Sequence, residues 1–238
     1  MISFIIPTLR EASVIEKTLL WISQYNGEKE IIISDGGSDD GTIEIARKYT
    51  DKIIVYKGEK RQTIGMGRNL WASIASGEYF VFVDADVTIL NPDIFFAEAF
   101  KILENTPNSV ALTAPMRVLP EMETRADRII FWALWYLFMF FNNVIHIGWA
   151  SGEFQMVRQD AFKKVGGFDE ELIGWEDKNH FEKLAKIGRT ISARNLLIYH
   201  TGRRAHKIGW PRLLMTWMLT LLPIKLQKII WNEWKVVR

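Results

Sequence analysis

The chain has 238 residues, 48% of them hydrophobic and 24% charged, enough for one substantial core and compatible with one α/β domain. It contains no cysteine, which excludes disulfides, thiolate metal centres and cysteine nucleophiles and fits a reducing compartment. The formal net charge is only +2, no repeat of 20–50 residues is visible, and the N-terminus enters a strand at once, so no signal peptide is expected.

Taken in chain order, Ser3 to Pro7 reads as a first strand, and a helical pattern follows from about Ala12 to Gln24 with Ile15, Leu19 and Ile22 on one face. Ile31 to Ser34 reads as a second strand running into the loop Asp35-Gly36-Gly37-Ser38-Asp39-Asp40-Gly41. Such a loop lets backbone N–H groups approach a ligand, with the next helix starting near Thr42. Ile53 to Tyr56 is a third strand, and Gly65-Met66-Gly67-Arg68-Asn69 opens a helix towards Ser76. This βαβαβ series predicts a parallel sheet with right-handed crossovers.

Tyr79 to Val83 is an apolar, β-branched and aromatic run, a buried strand, and Asp84-Ala85-Asp86 follows it directly. Two carboxylates at i and i+2 raise each other's pKa. A divalent cation offsets that cost, and hard oxygen ligands suit Mn²⁺ or Mg²⁺. The carboxyl ends of strands are also where open α/β sheets bind ligands. The alternative is that Asp84 and Asp86 are ordinary turn formers.

Further along, Ile129 to Phe141 is thirteen residues without a charge, too few to span a hydrocarbon core, which needs about 20. It reads as a core helix or as a membrane-surface helix. Glu176-Asp177 opens a helix through Leu184, where acids favour the helix start but also suit a general base. His200 ends an apolar strand, Leu196 to Tyr199. From His200 to Arg238 eight Lys and Arg face one acid, a balance of +7, while the remainder carries −5. That tail is also apolar, and six of the ten tryptophans (Trp132, Trp135, Trp210, Trp217, Trp231, Trp234) lie in or beside the two apolar blocks. Trp and Lys together suit an anionic membrane surface better than a nucleic-acid backbone, so attachment to the inner face of the membrane from the cytoplasm is expected and nucleic acid is not.

Ile6-Pro7-Thr8, the SDGGSDDG run, Gly67-Arg68-Asn69 and Asp84-Ala85-Asp86, in this order, resemble the nucleotide-sugar half of a family 2 glycosyltransferase with the GT-A fold. Gly152 to Arg158, Val165 to Glu170 and Trp175-Glu176-Asp177 continue the resemblance, which covers about residues 1–200. It implies an α/β fold: a Rossmann-type, mostly parallel sheet flanked by helices, with apolar or amphipathic helices at 125–149 and at the C-terminus. The expected organisation is one catalytic domain over 1–200 (donor half 1–115, acceptor half 116–200) and a membrane-facing tail over 201–238.

The resemblance implies an inverting transfer from a UDP- or GDP-type sugar donor to a glycan or lipid-linked hydroxyl acceptor. Asp35 would bond the nucleotide base, with Gly36 in the same loop, and Pro7, Thr8 and Glu11 would line the nucleoside pocket. Arg68 would face the base or diphosphate, and Arg203 and Arg204 the diphosphate. Asp84 would bind ribose or a metal-bound water, Asp86 would ligate the metal, and His200 would complete its site. Asp177 would be the general base, with Glu176 as the competing candidate. Arg10 stands where the family often has Asn, and Asn179 where a second acid often follows the Glu-Asp pair. FVFVDADVT also resembles the nucleophile motif of haloacid-dehalogenase-type phosphatases, but the chain has no Gly-Asp dipeptide to complete it. A non-catalytic membrane adaptor is the other alternative. His146, His180 and His206 have no partner motif nearby and receive no role.

Overall fold

The computed structural model describes residues 1–58, 62–172 and 174–219; the tail from 220 on, with Trp231 and Trp234, lies outside the described residues. The first half alternates strand and helix: β1 (Ile2–Thr8), α1 (Ile15–Gln24), β2 (Lys29–Asp35), α2 (Thr42–Ala46), β3 (Ile53–Val55), α3 (Ile64–Ala72) and β4 (Tyr79–Val83). Then come α4 (Pro92–Asn105), β5 (Ser109–Thr113), β6 (Met116–Val118), α5 (Arg125–Met139) and a π-helical turn over Phe140–Val144. The chain continues through β7 (Phe154–Arg158), α6 (Gln159–Val165), α7 (Glu176–Ala185), β8 (Arg189–Ser192), β9 (Ile198–His200), α8 (Arg203–Ile208) and α9 (Trp210–Leu219).

Seven strands form one sheet in the order β3-β2-β1-β4-β7-β5-β8. β3, β2, β1 and β4 are parallel; the near-continuous apolar runs of β2, β1 and β4 are buried on both faces, while β3 is a partly exposed edge strand. β7 enters antiparallel between β4 and β5, which sets Gln155 opposite Phe82 and Phe154 opposite Val83. β6 and β9 pair in a separate parallel ribbon that brings His200 beside Val118. One core, including Phe4, Trp21 and Phe96, packs under α1 and α4; the other, including Trp71, Phe80, Phe82 and Phe181, packs under α3, α6 and α7. Phe4 and Phe96 meet edge to face at 5.4 Å, worth about 1 kcal/mol beyond the area they bury.

Three local differences from the sequence reading have physical causes. α1 starts at Ile15, not Ala12, because Arg10 takes φ +57 and a turn closes from Glu11 O to Val14 N at 3.0 Å. Among residues with a Cβ, Asn tolerates a positive φ well, which fits Asn where this chain has Arg10. Here an ion pair from the Arg10 guanidinium to Asp39 spans the two loops. α3 stops at Ala72, short of Ser76. Finally, residues 201–219 include α8 and α9, and Ala205, Trp210 and Leu213 sit in the main core against Phe131 and its neighbours. The chain just after His200 is thus built into the body rather than leaving it.

α5 begins with a capping box, the Thr124 hydroxyl accepting from Asp127 N and the Asp127 carboxylate accepting from Thr124 N. Its inner face buries Phe131 and Phe138. Its outer face exposes Ile129, Trp132, Tyr136 and Leu137, continued by Phe140 at the start of the π-helical turn, an apolar stripe at helical spacing; Trp132 is 62% exposed. No described helix is long and apolar enough to cross a membrane.

Candidate active site

The site lies at the carboxyl ends of β1, β2 and β4, where Thr8 and Asp35 stand side by side in register. A cavity of about 270 Å³ there is lined by Pro7, Thr8, Glu11, Gly36, Asp84, Asp86, His200, Arg203 and Arg204. A second cavity of about 240 Å³ is lined by Arg68, Asp84, Trp149, Trp175, Glu176, Asp177 and the inner face of α5. The two share Ile64, Asp84, Phe131, Glu153, Arg204 and Trp217.

Asp35 does not stand open to a ligand. Its carboxylate accepts from Gly37 N at 2.9 Å, Ser38 N at 2.7 Å, Ser38 Oγ at 2.6 Å and Thr8 Oγ1 at 2.9 Å. Those four contacts mould the glycine loop, so Asp35 shapes the pocket edge instead of presenting a bare carboxylate to a base. Glu11 lines this cavity, and its carboxylate is held by Arg203 Nη2 at 2.9 Å and by Arg203 Nη1. Arg203 Nε also lies 3.5 Å from Asp86 Oδ2, which accepts from Thr201 Oγ1 as well.

Arg68 departs furthest from expectation. It is 1% exposed and turned beneath the cavity, not out to a nucleotide. Its Nη1 bonds Asp177 Oδ1, and its Nη2 donates to Gly152 O at 3.2 Å and approaches Asp84 Oδ1 at 3.4 Å. Glu176 Oε1 is 3.8 Å away. The reason is electrostatic: three carboxylates meet at the end of β4 and the start of α7, and a guanidinium between them offsets their repulsion. Gly67, one turn position before it, lets α3 sit against β2, since a Cβ there would come within 3.0 Å of Ser34 Oγ.

The Glu176-Asp177 pair sits at the first turn of α7. Trp175, just before it, takes φ +63, a strained conformation for a bulky residue at the mouth of a cavity. Burial pushes the Glu176 carboxyl up to about 8; repulsion from Asp177 adds to this and Arg68 opposes it. Glu176 therefore holds its proton to higher pH than an ordinary carboxyl. Burial also raises Asp177, against the pull of Arg68, with Glu153 repelling it. Two donors converge on Asp177 Oδ1, Arg68 Nη1 and Gln155 Nε2. Gly152 leaves room for this arrangement, because a Cβ there would lie 2.9 Å from Asp177 Oδ2 and 3.0 Å from Arg68 Nη2.

Asp84 and Asp86 suit a hard divalent cation. Burial pushes the Asp84 carboxyl well above the usual carboxylate range; Arg68 opposes this, while Glu153, Asp86 and Asp177 repel it. Negative charge is thus costly at this spot, and a bound cation would relieve the cost. Among the described residues no three acidic or imidazole side chains already converge as ligands, so Thr201 and Arg203 would have to release Asp86. His200 does not fit the ligand role expected for it. Its Nδ1 accepts from Gly202 N at 3.2 Å, so the neutral ring carries its proton on Nε2. Nε2 is buried in the cavity wall with no hydrogen-bond partner among the described residues, a donor suited to an anion oxygen rather than to a metal.

Residues missed in the sequence complete the site: Gly152, Gln155 and His180. A signal for Gln155 was present, since it is the one amide in the otherwise apolar stretch Phe154 to Val157, all of it fully buried. His206 also has a partner, donating from Nε2 to Asp127 Oδ2 at 2.7 Å, while Trp210 Nε1 holds Oδ1 at 2.7 Å; this fastens α8 and α9 to α5.

Comparison with known proteins agrees with this geometry. The model of the glycosyl transferase family 2 matches residues 3–166. The succinoglycan biosynthesis protein ExoA of Rhizobium meliloti is 27% identical over 228 residues, covering 87% of this chain and 65% of that protein. Validoxylamine A glucosyltransferase of Streptomyces hygroscopicus subsp. jinggangensis is 25% identical over 205 residues, covering 74% of this chain and 48% of that protein. The chain thus spans between about half and two thirds of the length of these relatives. A mannosyltransferase from Pyrobaculum calidifontis, solved with GDP-Man and Mn²⁺, superposes with a TM-score of 0.72 at 20% identity, over 99% of this chain and 65% of that one. The match to the family model spans well over half of the chain, on the same strands that carry the glycine loop and the Asp84–Asp86 pair, and the chain belongs to glycosyl transferase family 2.

Proposed function

We propose that the chain transfers a sugar from a UDP- or GDP-type donor to an acceptor hydroxyl, with inversion at the anomeric carbon. The observation that carries this reading is the meeting of the two cavities at Asp84. One is walled by the glycine loop and the paired carboxylates, the other ends at Asp177. In the reaction the acceptor oxygen forms a bond to the anomeric carbon while its proton passes to the Asp177 carboxylate. The bond from that carbon to the diphosphate oxygen breaks, and its electron pair leaves on the diphosphate. One base on the face opposite the leaving group makes this a single displacement. Asp177 is the base on this reading because Arg68 and Gln155 fix its carboxylate at the cavity, whereas burial favours the protonated form of Glu176. His200 Nε2–H and Arg204 line the donor side, where an anion oxygen would gather donors.

Asp86, with Asp84, would hold Mn²⁺ or Mg²⁺, and the bound cation would supply charge stabilisation to the departing diphosphate. The Pyrobaculum calidifontis complex, which contains Mn²⁺ and GDP-Man, supports this assignment. The acceptor is a glycan or lipid-linked hydroxyl presented at the cytoplasmic face of an anionic membrane. The exposed stripe of α5, Met215 and Met218 on α9, and the +7 balance beyond Tyr199 support that placement. Persistence of both carboxylates and the Glu-Asp pair speaks against a non-catalytic adaptor, and the antiparallel β7 beside β4 fits the glycosyltransferase sheet.

Calorimetric titration of UDP and GDP, with Mn²⁺ and again after chelation, tests the reading. Tight binding of one nucleotide that chelation abolishes supports it. Folded protein that binds neither would refute it.

A further inference from the structure

We propose that His180 is a positioning residue for Asp177, acting through the side chain of Gln155; this rests on the reading of Asp177 as the base. His180 lies one turn after Asp177 on α7 and is fully buried, and its ring packs against Phe82, Phe162 and Phe168. An apolar residue would fill such a cage at less cost than an imidazole, so the histidine needs a reason.

Hydrogen-bond logic supplies one. Gln155 Nε2 faces two acceptors, Asp177 Oδ1 and Ser151 O at 3.1 Å, so this end of the amide is the NH₂ group. Gln155 Oε1 then faces His180 Nδ1 at 3.2 Å and must accept from it. His180 is therefore protonated on Nδ1, and its bare Nε2 sits in the aromatic cage with no hydrogen-bond partner among the described residues. Burial, with Lys183 and Arg68 nearby, holds the imidazole well below its ordinary range and keeps it neutral. The consequence is directional. In this tautomer Nδ1–H donates to Gln155 Oε1, a further hold on the amide beside Asp177 and Ser151 O that favours its NH₂ facing the carboxylate. Arg68 and Gln155 then hold Oδ1 together, fixing the orientation of the base against β7. Without His180 the amide could turn, and one of the two donors on Asp177 would be lost.

The test is nuclear magnetic resonance of the full chain, and it requires neither donor nor acceptor. Long-range ¹H–¹⁵N spectra of ¹⁵N-histidine protein should show His180 neutral and protonated on Nδ1; a ring protonated on Nε2, or an imidazolium, overturns the proposal. Gln155→Met should displace that tautomer signature. In ¹³C-aspartate protein, His180→Leu and Gln155→Met should move the Asp177 carboxyl resonance in the same direction, and the double variant should move it no further than the larger single change. If His180→Leu lowers the melting temperature but leaves the Asp177 resonance in place, His180 only packs and the proposal fails. Because these spectra are taken without substrate, their failure is distinct from failure of Asp177 as base, which the turnover of Asp177→Asn decides.

Discussion

Glu176→Gln separates the two acids at the start of α7. The Glu176 side chain is 6% exposed, and its carboxyl is pushed from 4.5 to about 8. Between those values the unfolded chain has released the proton and the folded chain retains it. The unfolded state binds fewer protons there, so stability falls as pH rises through the window and levels off above it. At about 1.4 kcal/mol per pH unit, the full window weakens the fold by roughly 5 kcal/mol. Glutamine keeps the shape and an N–H donor but cannot ionise, so the variant should lack this slope. Urea unfolding at pH 5, 6, 7, 8 and 9 measures it. The variant should gain on the unaltered chain steadily from pH 5 to 8, by an amount equal to roughly 2 M in midpoint for typical slopes of a chain this size. Turnover at pH 7 should stay close to that of the unaltered chain, since the replaced group was neutral already. If the stability difference is flat from pH 5 to 9, Glu176 is ionised in the folded protein, and the assignment of Asp177 over Glu176 as base loses its ground.

Asp177→Asn should leave nucleotide binding near normal in calorimetry while turnover falls by about 10²-fold or more, the scale of general-base loss. Equal loss of binding would make Asp177 structural. Arg68→Met leaves Glu176 and Asp177, and the partly exposed Asp84, without their shared cation and should cost about 3 kcal/mol in urea unfolding, the low end of the range for a broken buried pair; a loss under about 1 kcal/mol, the scale of an exposed pair, would mean that water already screens the cluster. Asp86→Asn should abolish the dependence of nucleotide binding on Mn²⁺, and persistence of that dependence would move the cation elsewhere. On the outer face of α5, Trp132→Glu with Phe140→Glu should reduce flotation with anionic liposomes without changing the melting temperature by more than a few degrees, as both side chains are largely exposed. Unchanged flotation would point away from this face.

Much of this molecule can be read from local pattern. The apolar runs at Ile2–Thr8, Lys29–Asp35 and Tyr79–Val83 are buried on both faces, so composition alone marks them as central strands. The loops after them follow from glycine and aspartate chemistry, and the positions of Thr8, Gly36, Asp84 and Asp86 follow from the strands. Directions of side chains do not. Arg68 on a helix opening Gly65-Met66-Gly67 can point to solvent, to a ligand or inward, and only the three carboxylates delivered by β4 and α7 decide for the last. His180 and Gln155 become partners because β7 inserts antiparallel beside β4, a pairing between segments 71 residues or more apart that no local periodicity records. The His200 assignment turned on a single backbone N–H, that of Gly202, which fixes the ring proton on Nε2.

The arrangement also joins the two halves of the reaction. Arg68 is the common partner of Asp84, on the donor side, and of Asp177, on the acceptor side. Whatever compensates the charge of Asp84 weakens its claim on Arg68, and the guanidinium then serves Asp177 more fully. Charge placed near Asp84 must therefore be felt at Asp177 through one rigid, fully buried side chain. Coulombic coupling through a group so shielded from water falls off far less than it would across open solvent. If Asp177 is the base and Asp84 belongs to the donor site, as proposed, the strength of the base depends on the charge state of that site. On this account a chain with an empty donor site holds a base different in strength from that of a loaded one. Nucleotide binding and Asp177 titration should then be linked reciprocally, each shifting the other by the same free energy.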